Sequence, residues 1–138
     1  MRVEYSQSAA NTDAFALIAE GWNDLVQEGH TPDQDAISPV GPGDEVLYAV
    51  SNDGDIVGVL TFKVGERPLS ARITLAYVEP SSRRRGVFKD LVAELRRLCK
   101  ERGFTRIDGL VAPQNDLAQY AVKELGGYPQ AVVVSVPV

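Results

Sequence analysis

Apolar and polar positions change period several times along the chain, and each change marks an element. Residues 1–6 alternate as a strand does, and Asn11 then offers an N-cap before Phe15, Ile18, Trp22, Leu25 and Val26. That three-and-four spacing predicts a helix over 12–28, ended by Gly29. The stretch 30–44 holds three prolines, two glycines and several acids. It reads as a loop of functional length, placed to shape a substrate cleft. Runs 45–51 and 55–64 are strand-like, and Asn52-Asp53-Gly54 between them signals an antiparallel hairpin.

A further strand is expected over 71–78, stopping at Pro80, which has no N–H for a ladder. From Val87 the period lengthens: Phe88, Leu91, Val92, Leu95, Leu98 and Cys99 form one apolar stripe, opposite Arg96, Arg97, Lys100 and Arg102. This predicts an amphipathic helix capped by Gly103. A strand over 105–111, a helix from an Asn115 cap to about 125 and a strand over 131–136 complete the series. The order predicts an α/β or α+β sheet with helices on its faces. A right-handed crossover makes 71–78 and 105–111 parallel, with a ligand at their C-terminal ends.

The 138 residues fit a single domain over 1–138 with room for a core and a cleft. Apolar residues at 44% and charged ones at 24% are near globular averages, which excludes disorder and fibrous repeats. The longest uncharged apolar stretch, 131–138, is too short to span a bilayer, and the start of the chain lacks the apolar core of a signal peptide. The cytoplasm is the expected compartment, with no membrane partner. One cysteine, Cys99, and one histidine, His30, cannot build a zinc site or an internal disulfide, so no metal is expected.

Charge is distributed unevenly. Residues 1–55 carry Arg2 alone against eleven Asp and Glu, whereas the remainder carries thirteen Lys and Arg against eight acids. A net charge of -5 argues against nucleic-acid binding, which needs a broad basic face, but permits a compact basic site for one polyphosphate. Such a site is offered where strand, loop and helix start meet, at Val78-Glu79-Pro80-Ser81-Ser82-Arg83-Arg84-Arg85-Gly86-Val87-Phe88. Free N–H groups and the positive pole of a helix start hold a phosphate, and Gly86 lets it approach. A solvated basic loop is the plainer reading of the three arginines.

In this segment Val78, Pro80, Arg83 and Gly86 follow the spacing V-x-P-x-x-[RQ]-x-x-G-x-[GA], and with them the chain resembles the GNAT acyl-CoA-dependent N-acetyltransferases. Phe88 departs from the family pattern, standing where Gly or Ala is usual. Val111, Asn115, Ala118 and Leu125-Gly126 are similar to the family's second signature. The resemblance implies a mixed, mostly antiparallel sheet with helices on both faces and a parallel central strand pair. It further implies acetyl-CoA as acyl donor. Tyr77, Val78 and Glu79 would offer backbone groups to the pantetheine, Arg83, Arg84, Arg85, Gly86, Val87 and Phe88 would wrap the pyrophosphate, and Asn115 is counted with the coenzyme residues.

Acetyl transfer to an amine needs a base for the amine and an acid for the leaving thiolate. The family's frequent tyrosine, seven residues after the Asn, corresponds to Val122; aligned instead on Gly127-Tyr128, the slot is Lys123. Tyr120 is the nearest phenol, and Asp108, Glu45 and His30 are candidate bases. Cys99 and Trp22 are expected in the core. Two readings follow: an N-acetyltransferase acting on a small cationic or protein-lysine acceptor, and a non-catalytic coenzyme-binding or structural module. The apolar C-terminal segment could also pair across a homodimer.

Overall fold

The computed structural model describes residues 1–29, 40–130, 134 and 136–138. The loop 30–39 with His30, and most of the C-terminal segment expected to form a strand, lie outside them. β1 (Arg2–Ser6), β2 (Glu45–Val50), β3 (Ile56–Val64), β4 (Ser70–Val78) and β5 (Arg106–Gly109) form one sheet in chain order. Among the described strands the first three pairings are antiparallel and β4–β5 is parallel. The crossover between β4 and β5 carries α2 (Val87–Arg102), the long helical connection that a parallel pair requires.

Strand alternation sends side chains to two cores. Leu47, Leu60, Phe62 and Ala71 meet Val87, Leu91, Leu95 and Leu98 of α2 on one face. Val46, Val59, Leu75 and Tyr77 meet Leu17 and Ile18 of α1 (Phe15–Gln27) on the other. Fully buried leucines such as Leu91 and Leu95 each contribute about 1.5–3 kcal/mol through lost apolar exposure. α3 (Asp116–Glu124) has no buried residue of its own. It is anchored at its end, where Leu125 packs against the α2 core and its carbonyl accepts from Arg96 at 2.7 Å.

The N-terminal helix differs from its expected form. Asn11 closes a short 3₁₀ turn over Ala9–Asn11, and α1 begins at Phe15 with Ala14 as its cap residue. Its buried face is Leu17, Ile18 and Gly21, whereas Phe15 is 54% exposed and Trp22 only half-buried. Gly21 rotates the contact: a Cβ there would lie 2.6 Å from Cγ of Tyr77, so the helix meets the sheet through its smallest residue. Periodicity could not register that preference, because glycine counts as no apolar side chain. β5 also ends at Gly109, two residues before the expected limit.

Candidate functional site

β4 and β5 part company at the pair Ile73–Gly109. Beyond it, β4 runs on to Val78 with β3 on one side and, among the described residues, no strand on the other. The fork is accompanied by a bulge. Thr61 faces Leu75 and Phe62 faces Ile73, so Thr74 is the extra residue. Its hydroxyl donates to the buried Asp44 carboxylate at 2.8 Å and lies 2.8 Å from the Thr61 hydroxyl. Asp44 also accepts the Gly41 N–H at 3.1 Å, so the bulge is tied to the loop preceding β2.

The free edge of β4 has a definite polarity. The Glu79 N–H reaches the Val57 carbonyl at 2.9 Å, so Glu79 and, two residues earlier, Tyr77 turn their backbone groups toward β3. Ala76 and Val78 therefore turn theirs into the fork. Of the three residues expected to offer backbone groups, Val78 faces the open side, and Ala76 joins it.

Pro80–Ser82 forms a 3₁₀ turn beyond Val78, and Arg84 takes a left-handed φ of 63° before Gly86, at φ 78°, caps α2. The first bond of that helix is Asp90 N–H to the Gly86 carbonyl at 3.0 Å. Among the described residues nothing accepts from the N–H groups of Gly86, Val87, Phe88 or Lys89. Four donors without acceptors at a helix start make an anion cradle. Gly58 brings the cradle down beside β4, since a Cβ there would lie 2.6 Å from Val87 Cγ1. A hollow of about 230 Å³ results, lined by Val78, Arg83, Arg84, Gly86, Phe88 and Lys89 among others.

Phe88, the departure from the family pattern, is half-buried and packs against the α2 core, so its backbone N–H stays at the helix start. The three arginines are exposed and differ in their ties. Arg83 donates from Nε to the Val78 carbonyl at 2.9 Å and its guanidinium lies 5.5 Å from the Tyr77 ring centre. The Tyr77 hydroxyl donates to Asp24 of α1. Burial, then that hydrogen bond and the neighbouring carboxylates, push the phenol up to about 12, so it stays a neutral donor.

With this geometry in view, the sequence matches the model of the acetyltransferase (GNAT) family over residues 12–126. The chain belongs to the GNAT acetyltransferase family. Solved structures agree in fold. An aminoglycoside acetyltransferase, meta-AAC0020, from an uncultured soil metagenomic sample superposes with TM-score 0.73 at 17% identity, covering 99% of this chain and 95% of that one. An aminoglycoside N-acetyltransferase AAC(6')-Iy solved with CoA gives 0.69 at 17% identity, with 99% and 98% covered. A ribosomal-protein-alanine N-acetyltransferase from Brucella melitensis biovar Abortus 2308 gives 0.72 at 15% identity over the whole of both chains. At such identities these neighbours speak for the fold alone. No curated protein matches the chain in sequence.

In this GNAT domain the remaining candidates are scattered. Asp108 lies one residue before the end of the β4–β5 pairing, half-buried, and accepts from Arg106 Nε at 3.3 Å. Asn115 is 9% exposed and caps α3, its Oδ1 accepting the Ala118 N–H at 3.1 Å, so that oxygen is already engaged. Tyr120, on the same helix, is 65% exposed.

Glu45 is not available as a base. It takes both nitrogens of Arg102, at 2.6 and 2.8 Å, and the Tyr5 hydroxyl. Arg102 is the last residue of α2, about 24 Å of helix away from the cradle. The Arg102 guanidinium holds the Glu45 carboxyl below the usual range. Cys99 is buried in the α2 core, which pushes its thiol up and makes it unreactive. Among the described residues no helix is long and apolar enough to cross a membrane.

The sequence reading missed Asp24, Gly21, Gly58 and Thr74. Only Gly58, a glycine inside an apolar strand run, left a local signal of close approach.

Proposed function

We propose that this chain is an N-acetyltransferase that moves an acetyl group from acetyl-CoA to an amine of a small cationic or protein-lysine acceptor. The observation that carries the reading is the cradle of four N–H groups at Gly86, Val87, Phe88 and Lys89, without acceptors among the described residues, set beside the edge of β4 that no described strand covers. Gly86, Val87 and Phe88, with Arg83, Arg84 and Arg85, hold the pyrophosphate. The pantetheine amides lie along the fork-facing backbone of Ala76 and Val78, adding to the edge as a strand would, with Tyr77 and Glu79 turned to β3. Asn115 borders the coenzyme from the start of α3.

At the fork the acceptor nitrogen attacks the thioester carbonyl, the C–N bond forms and the C–S bond breaks. A β4 N–H facing the gap stabilises the developing oxyanion. Asp108 takes the amine proton and Tyr120 returns one to the thiolate. The acid-rich first 55 residues, with Glu20 and Asp24 on α1, attract a cation by steering. Membership of the acetyltransferase (GNAT) family supports an amine acceptor.

Calorimetric titration with CoA and acetyl-CoA, followed by thiol release across an amine panel, tests the reading. Absence of binding would sink it outright. Binding without thiol release for any amine would favour the non-catalytic coenzyme module, which the strong exposure of Tyr120 makes the second reading.

A further inference from the structure

Arg83 crosses the mouth of the fork and is held there from two sides. Its Nε closes the Val78 carbonyl at 2.9 Å, on the edge of β4 that faces the gap, and its guanidinium lies 5.5 Å over the Tyr77 ring. Tyr77 is itself immobilised. It is 5% exposed, has Gly21 of α1 pressed against its ring with no space for a methyl group, and donates its hydroxyl to Asp24. The side chain thus forms a platform, braced by α1 below and stacked by Arg83 above.

A long arginine on a loop ordinarily gives up rotamer entropy when a ligand orders it. Here the ordering is done in the free protein by a cation–π contact and one hydrogen bond. Arg83 also lines the hollow between Val78 and the start of α2.

We propose that Tyr77 acts through its side chain as a positioning residue for the coenzyme: braced by Asp24 and Gly21, it fixes Arg83 across the β4 edge as a preformed wall of the coenzyme site. This rests on the coenzyme reading above. It assigns the Tyr77 ring a task separate from its backbone and joins α1 to the coenzyme loop. The ring beneath the guanidinium and the Nε donor are both needed, so charge alone does not suffice.

The test measures Kd for CoA by calorimetry on the full chain for the wild type, Arg83→Lys, Arg83→Ala, Tyr77→Phe, Tyr77→Leu and the Tyr77→Leu/Arg83→Ala double variant. Tyr77→Phe keeps the ring but loses the Asp24 brace, and weakens binding by less than Tyr77→Leu, which weakens it roughly three- to tenfold. Arg83→Lys weakens it nearly as much as Arg83→Ala. In the double variant the loss matches that of Arg83→Ala alone, because the ring acts only through the guanidinium.

Strictly additive losses, or full affinity in the Arg83→Lys variant, would overturn the proposal while leaving CoA binding intact. Should Tyr77→Leu fail to fold, the exposed Arg83→Lys and Arg83→Ala pair decides alone. A wild-type protein with no affinity for CoA would remove the coenzyme reading and this proposal together, a failure visible before any variant is made.

Discussion

Replacing Gly86 by Glu sets a carboxylate at the centre of the cradle, and its effects on folding and on binding should have opposite character. A side chain at φ 78° costs about 1 kcal/mol, since the left-handed conformation crowds Cβ against the carbonyl. No atom lies within 4 Å of where that Cβ would be, so no clash adds to the cost. The new carboxylate at a helix start, where four N–H groups lack acceptors among the described residues, returns about 0.3–1 kcal/mol. Folding stability is therefore nearly unchanged.

Binding should collapse. Two unit charges 4 Å apart repel by about 4 kcal/mol at an effective dielectric of 20. Gly86 is exposed, so solvent screening reduces this to about 2 kcal/mol, roughly thirtyfold in Kd, before any loss of phosphate hydrogen bonds. Thermal denaturation and calorimetry with CoA on the same sample read the two effects. Unchanged CoA affinity in a folded Gly86→Glu protein would refute the assignment of the cradle to the pyrophosphate.

Three further outcomes are expected. Gly21→Ala drives a methyl group into the Tyr77 ring and should cost about 1–3 kcal/mol in urea denaturation; a neutral result would mean that α1 can lift off the sheet freely. Asn115→Ala removes the α3 cap and should cost about 1 kcal/mol, with Asn115→Asp restoring it; recovery of stability without recovery of CoA affinity would point to the amide nitrogen as the coenzyme contact. Glu45 has a folded pKa depressed by Arg102, so its contribution is complete above its ordinary value of 4.5 and is lost as pH falls through the lower folded value. Glu45→Gln should cost about 1–2 kcal/mol at neutral pH and flatten the acid limb of the melting profile, leaving the CoA Kd unaltered; an unchanged acid limb would contradict the ion pair.

The elements whose signals are local were legible in the sequence. The stripe Leu91, Val92, Leu95, Leu98 and Cys99 is the buried face of α2, Gly103 ends it in a left-handed conformation, and Asn115 caps α3, because each depends on residues within one or two turns. The same holds for the spacing of Val78, Pro80, Arg83 and Gly86, which marked the loop. The strand pairs followed from alternation and a two-way choice of turn or crossover.

What the sequence could not decide is where chain segments far apart come together. The contact face of α1 was misjudged because it is chosen by Tyr77, 56 residues from Gly21 in the chain, and not by the helix's own apolar residues. Glu45 looked like a free acid until Arg102 appeared against it. The fork itself arises because β5 stops pairing at Gly109 while β4 continues, and the bulge at Thr74 is held by Asp44 from another loop. Sequence alone thus determined the helix start that can bind an anion. Tertiary structure decided that its donors lie beside a β4 edge that no described strand covers, because that juxtaposition depends on Gly58, Val87 and the end of β5 meeting in space.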